Sequence, residues 1–132
     1  MPVKNDNRGQ AVIELVLVLP LFLTLLFSIL TLGYWMNAQQ VVTTAAREGA
    51  VIGASTNDNT QIQAAVMSVM DGLDSNPDKI TVFVDPLDST SRVRGTPIKV
   101  KVQYAIPLVY DALPAYFKTV SAESTSRMEN IP

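Results

Sequence analysis

The sequence predicts an α+β protein, in which a long N-terminal transmembrane helix continues into a small domain with a second helix and a short antiparallel β-sheet. Three observations lead to this prediction. Residues 11–36 form an apolar run with a single charge. Residues 62–73 carry apolar side chains at helical spacing. Residues 98–106 alternate between apolar and polar side chains, which is typical of a half-buried strand.

The apolar run is long enough to cross a membrane. A bilayer has a hydrocarbon core about 30 Å thick, which about 20 helical residues can span. Ala11–Met36 exceeds that length. The apolar part of a cleaved secretory signal is shorter and ends at a small-x-small site, and no convincing site of that kind follows the run. We therefore expect this segment to be retained in the mature protein.

The residues at the two ends of the run predict its orientation. Lys4 and Arg8 precede it, and residues 37–42 after it carry no charge. Because positively charged flanks stay in the cytoplasm, we expect the C-terminal part of the chain to be periplasmic. Tyr34 and Trp35 lie at the far end of the run. Their rings would lie either at the membrane interface or against the protein itself.

Glu14 is the only charged residue of the run. An acidic side chain in hydrocarbon costs about 2.5–3.5 kcal/mol on insertion scales. One interpretation places Glu14 in the headgroup zone, where this cost is small. In the other interpretation, a cation pairs with Glu14. A cut after Gly9 would give Gln10 a new α-ammonium group, which lies one helical turn from Glu14. The glycine would give a peptidase unhindered access to the backbone.

Two further features of the N-terminal helix concern its packing. Pro20 lies inside the run and removes a backbone hydrogen bond, which membrane helices tolerate when their neighbours satisfy the freed carbonyl. Beyond the run, the helix is expected to continue to Ala54, with small residues at helical spacing that include Ala45, Ala46 and Gly49. Such a stripe packs either against another subunit or onto the protein's own domain, and the sequence leaves both open.

The residues around the possible cut resemble a known family. Arg8–Leu15 reads RGQAVIEL, and the run continues to Leu19 and Pro20. This segment resembles the start of TadE-like proteins, which are pseudopilins of the tight-adherence (Tad/Flp) branch of type IV pilus systems. Residues 45–50, which read AAREGA, are similar to the family's Ala-Ala-Arg-Glu-Gly segment. Residues 126–129 resemble the pattern near its C-terminus.

The resemblance implies a pilin-like structural protein without a cofactor. It implies cleavage between Gly9 and Gln10 by a prepilin peptidase, and a role for Glu14 in the registration of subunits. An assembly platform in the bacterial inner membrane, with its ATPase, would move the subunit into a filament at the cell surface. Other pilin or pseudopilin subunits and membrane lipid would be its partners. Leu15 stands where major pilins of this branch often carry tyrosine, which favours a minor pilin.

The expected organisation has three parts. They are a prepilin leader at residues 1–9, a transmembrane and assembly helix at residues 10–54, and a small extracytoplasmic α+β domain at residues 55–132. Within the domain, Asp58 or Asn59 would cap the second helix. The predicted strands are Ile80–Val84, Pro97–Ile106 and a last strand within Lys118–Met128, with a hairpin loop at Asp88–Gly95.

Two segments of the domain allow alternative interpretations. A basic group at the hairpin is predicted to be a solvated sheet face, with contact to an anionic surface as the alternative; its members are Arg92, Arg94, Lys99 and Lys101. Leu108–Phe117 contains several aromatic residues and would be either a loop that covers the core or an exposed contact surface.

The composition argues against several functions. Ten basic residues stand against twelve acidic ones, and a net charge of -2 gives no reason to expect nucleic acid as a partner. The chain has neither cysteine nor histidine, so thiolate catalysis and the commonest general base are excluded. The acidic segment Asp71–Asp78 does not have the spacing of a calcium-binding EF-hand loop, and we expect a turn there and no metal.

The leading hypothesis is a pseudopilin that acts through helix packing. The alternative from a different class is an uncleaved, signal-anchored periplasmic accessory or binding domain, in which Gly9 and Glu14 would have no special role. A membrane-tethered enzyme is a third hypothesis, for which the sequence has no motif. Loss of the first nine residues from the native protein would distinguish the first hypothesis from the other two.

Overall fold

The computed structural model describes residues 7–106 and 119–128, and their side chains from residue 9 onward. Most of the predicted leader and the whole of Leu108–Phe117 lie outside the described residues. The predicted α+β architecture is confirmed, with two α-helices followed by three β-strands. The elements are α1 (Asn7–Thr56), α2 (Asn59–Met70), β1 (Ile80–Asp85), β2 (Pro97–Ala105) and β3 (Thr119–Arg127).

The chain divides into two compact units, Met1–Tyr34 and Trp35–Pro132. Within the described residues, α1 is the one helix that is long and apolar enough to cross a membrane, with a mean hydropathy of 2.7 in its most apolar stretch. Its large apolar side chains from Val12 to Leu32 are 39–73% exposed. Burying them in lipid or against another protein removes this surface from water, so the first unit is suited to a membrane.

The second unit is built on an antiparallel sheet with the strand order β1-β2-β3. Val102 of β2 lies opposite Val82 of β1 and Ala122 of β3. Side chains alternate between the two faces of the sheet, and the predicted alternation in β2 is confirmed. Its inner face is fully buried and consists of Ile98, Val100, Val102 and Tyr104.

The second helix begins at a side-chain cap. Oδ1 of Asp58 accepts a hydrogen bond of 2.8 Å from the backbone N–H of Thr60, which satisfies one of the free donors at the helix start. The hydrogen bonds from Thr60 also lower the pKa of the Asp58 carboxyl. Of the two predicted caps, Asp58 is therefore the one in place. The inner face of α2 buries Ile62, Val66 and Met70.

The loop between β1 and β2 corrects one prediction. Arg92 was expected on a solvated face, but it is only 5% exposed. Its Nη2 donates to Oδ1 of Asn59 and to the carbonyl oxygen of Pro86, both at 2.6 Å. Its Nε donates to the same Pro86 oxygen at 2.8 Å. Burial lowers the pKa of Arg92. Arg92 thus joins the loop to the start of α2, while Arg94 and Lys99 are exposed as predicted.

Replacing Arg92 with methionine should destabilise the second unit by about 2 kcal/mol, because partly buried acceptors on Pro86 and Asn59 lose a charged donor. Thermal unfolding of the purified protein in detergent, followed by circular dichroism, measures this change. Arg94→Met is the matched control, since Arg94 is exposed in the same loop and should change stability little. Equal stability of the two variants would contradict a structural role for Arg92.

Candidate assembly site on the N-terminal helix

The predicted cut lies near the beginning of α1. The helix starts at Asn7, so Gly9 and Gln10 are in its first turn. Both residues are exposed, and a Cβ atom added to Gly9 would meet nothing within 4 Å. The Gly9–Gln10 bond is therefore not shielded by any described side chain. Arg8, which precedes it, has no described side chain.

Glu14 lies one turn beyond Gln10 and is exposed among apolar side chains. Its sequence neighbours Ile13 and Leu15 are 65% and 61% exposed. Within residues 9–106 and 119–128 the salt bridge found joins Lys79 to Asp74, far along the chain from Glu14. The carboxylate of Glu14 thus has no cation from the described part of its own chain. In a low-dielectric environment it would require one from elsewhere.

Pro20 interrupts the hydrogen bonding of α1 without ending the helix. Proline has no N–H, so the carbonyl of Val16 loses its usual helical donor. One turn later, Oγ1 of Thr24 donates to the carbonyl oxygen of Pro20 at 2.8 Å. Ser28 and Thr31 make the same kind of bond to their own preceding turns. These hydroxyl groups are satisfied inside the helix, which suits an apolar surrounding.

The small residues predicted for helix packing lie in the protein's own core. Ala45 and Ala46 are fully buried, in one core cluster with residues of α2 and the sheet. A Cβ atom added to Gly49 would lie 2.8 Å from Cγ2 of Val66 and 3.2 Å from Cγ1 of Val100. The sequence left two alternatives open for these small residues. In the structure they pack against the protein's own domain.

Gly53 is a packing residue that the sequence analysis missed. An added Cβ atom would lie 2.8 Å from Cδ1 of Ile62 and 2.9 Å from Cδ1 of Ile98, so α1 also approaches α2 and β2 closely at this position. The signal was present in the sequence, because Gly49 and Gly53 have the small-xxx-small spacing of close helix contacts.

The two aromatic residues after the apolar run have different surroundings. Tyr34 is 40% exposed, and its position at the membrane interface stays a prediction. Trp35 is half-buried and packs against the core cluster of the second unit. Its indole Nε1 is buried and has no hydrogen-bond partner among the described residues. Trp35 therefore packs against the protein itself, which was the second of the two predicted alternatives.

The acidic turn after α2 has a structural role. Oδ2 of Asp74 accepts hydrogen bonds from Nζ of Lys79 at 2.8 Å and from the hydroxyl of Tyr104 at 3.1 Å. The hydrogen bond from Lys79 is the main reason why the pKa of Asp74 is lowered. No group of three acidic, histidine or cysteine residues that could hold a metal occurs in the described part of the chain. The turn thus connects the end of α2 to β2.

Comparison with known proteins concerns mainly α1. No curated protein and no solved structure matches the chain. A family model described as TadE-like protein matches residues 9–51. The matched segment contains Gly9, Gln10, Glu14 and Pro20, and most of the small residues that pack on the sheet. The resemblance drawn from the sequence is confirmed over residues 9–51, where the chain is similar to TadE-like proteins.

Proposed function

We propose that the protein is a minor pilin or pseudopilin, which is processed after Gly9 and packs through α1 into a Tad-type pilus or secretion filament. The observation that carries this proposal is the TadE-like match over residues 9–51. It coincides with a helix whose apolar side chains are exposed and in which Glu14 has no partner among the described residues. This combination supports a structural role for the chain and not an enzymatic one.

The exposed apolar surface of α1 supports a role in assembly. Burying one leucine or phenylalanine side chain is worth about 1.5–3 kcal/mol, and α1 exposes many such side chains between Val12 and Leu32. In the membrane, lipid covers them. Outside the membrane, the helix is stable only when other subunits cover the same surface. A filament of packed helices provides that cover, so other pilin subunits are the proposed partners.

Processing would complete the environment of Glu14. A cut after Gly9 gives Gln10 an α-ammonium group, and Gln10 precedes Glu14 by about one turn of α1. The two charges would pair within one subunit or between neighbours and so lower the cost of burying the carboxylate. This step requires a prepilin peptidase on the cytoplasmic side. Extraction from the inner membrane requires the assembly platform with its ATPase.

The test is the intact mass of the protein isolated from its native membrane. We expect the wild-type protein to lack the first nine residues, and the Gly9→Leu variant to keep them, because a bulky side chain at the cut blocks access to the backbone. Gly33→Leu is the matched control in the same helix: a Cβ atom there also meets nothing within 4 Å, and this variant should be processed normally.

An unprocessed wild-type protein would overturn the proposal. The chain would then be a signal-anchored accessory domain of the periplasm, because the ammonium group required by Glu14 would never be formed.

A further inference from the structure

The outer surface of α1 in the second unit carries two charges of opposite sign. Arg47 and Glu48 are the only charged residues between Trp35 and Thr56, and both are exposed. Neither makes an ion pair or a hydrogen bond with the residues that the structure describes. They stand in contrast to their neighbours Ala45, Ala46 and Gly49, which are buried. The described part of the domain therefore leaves these two charges available for an external contact.

The two charges point to opposite sides of the outer surface. Successive residues of an α-helix are rotated by about 100°, so Arg47 and Glu48 cannot pair with each other in one chain. The middle of the outer surface is formed by Gln40, Thr44 and Val51, all of them exposed. By helical rotation, Arg47 lies to one side of this line and Glu48 to the other. A cation and an anion thus stand at almost the same height on opposite flanks.

This arrangement is complementary to itself. When two copies lie side by side and run in the same direction, the basic flank of one helix meets the acidic flank of the next. Copies anchored in one membrane by the same end share that direction. Arg47 and Glu48 are adjacent in sequence, so the pair forms with little shift along the helix axis. No other charge on this part of α1 opposes it.

We propose that Arg47 of one copy forms an ion pair with Glu48 of a neighbouring copy, so that the outer surface of α1 beyond the membrane is a contact between subunits. This inference rests on the proposed function, since it names the contact that a filament subunit makes in this region. It assigns to the second unit a contact separate from that of the apolar segment. The small residues on the other side of α1 stay in the domain core.

A first test uses charge reversal in cells that assemble the filament. Arg47→Glu and Glu48→Arg should each lower the amount of assembled protein about two- to fivefold, which is the range expected for one exposed ion pair. The double variant Arg47→Glu, Glu48→Arg should recover the wild-type amount, because the pair is restored with its charges exchanged. Normal assembly of both single variants, or failure of the double variant, would overturn the proposal.

A second test measures directly whether residue 47 of one copy lies close to residue 48 of another. The chain has no native cysteine, so only the introduced cysteines can react within it. Two differently tagged copies, one with Arg47→Cys and the other with Glu48→Cys, are produced together and treated with a thiol crosslinker that spans about 10 Å, the distance between packed helix axes. The mixed pair should crosslink more than two copies that both carry Arg47→Cys. Equal yields, or crosslinks to a different protein only, would overturn the proposal.

The mass measurement keeps this inference separate from the proposed function. A processed protein that assembles but gives no preferred crosslink refutes the ion pair and leaves the pilin role intact. An unprocessed protein that gives the mixed crosslink refutes the pilin role, while the contact between copies remains. High salt should weaken the contact between copies that keep both Arg47 and Glu48, because exposed charges are screened.

Discussion

Replacing Glu14 with alanine is expected to abolish assembly while leaving the cut after Gly9 unchanged. In the proposed filament, the carboxylate of Glu14 meets the new α-ammonium group of Gln10. Without Glu14, that ammonium group would be buried alone, at a cost of several kcal/mol. A loss of about 3 kcal/mol per subunit contact corresponds to a more than hundredfold loss of assembled protein. The measurement is the amount of protein in the sheared filament fraction relative to the membrane fraction.

Two further variants show whether the charge of Glu14 matters. Glu14→Gln has nearly the same size but no charge, and it should fail as Glu14→Ala does. Glu14→Asp keeps the charge on a shorter side chain and should retain part of the assembly. The intact mass of each variant should show the same processed N-terminus. If Glu14→Ala subunits enter filaments at the wild-type level, Glu14 does not pair with the ammonium group.

Replacing Gly49 with leucine should unfold the second unit or destabilise it by about 3 kcal/mol or more, since overpacking of a filled core is costly. Even a Cβ atom at this position lies 2.8 Å from a methyl group of Val66. Val66 is β-branched and lies in α2, where its side chain has one strongly preferred rotamer, so it cannot move aside easily. Thermal unfolding in detergent, monitored by the near-ultraviolet circular dichroism of the half-buried Trp35, measures the loss.

The control for this experiment is Gly33→Leu. Both substitutions replace a helical glycine of α1 and gain similar helix propensity, but Gly33 has no atom within 4 Å of an added Cβ. The control should therefore be as stable as the wild type or slightly more stable. A Gly49→Leu protein with wild-type stability would show that α1 does not pack on α2 and β2 as described.

The sequence predicted the elements of the fold well where local patterns determine them. The alternation in residues 98–106 predicted the buried face of β2, and Asp58 was one of the two predicted caps of α2. The boundaries were less certain: α2 ends at Met70, although its apolar spacing continues to Leu73. In the structure, Leu73 still packs against the core from the turn that follows. The apolar spacing therefore indicated correctly that Leu73 packs against the core, but it did not indicate that the helix continues to this residue.

The contacts of Arg92 and Asp74 could not be predicted in the same way. Arg92 is bonded to Asn59, and Asp74 to Tyr104, across 33 and 30 residues of chain. Nothing in the local sequence around Arg92 distinguishes it from exposed Arg94. A side chain is buried or exposed according to what the fold brings beside it, and neither hydrophobic periodicity nor turn chemistry contains that information.

The sequence by itself determined that α1 is long and apolar and that Glu14 is its only charge between Gly9 and Arg47. It also determined that residues 9–51 are similar to TadE-like proteins. Each of these follows from residues close together in the chain. Only the tertiary structure decided what covers the small residues of α1. Helical spacing places Ala45, Ala46 and Gly49 on one face of the helix, but it does not say which surface fills the space beside them. Here α2 and the sheet fill it, and the opposite face, with Arg47 and Glu48, is left open.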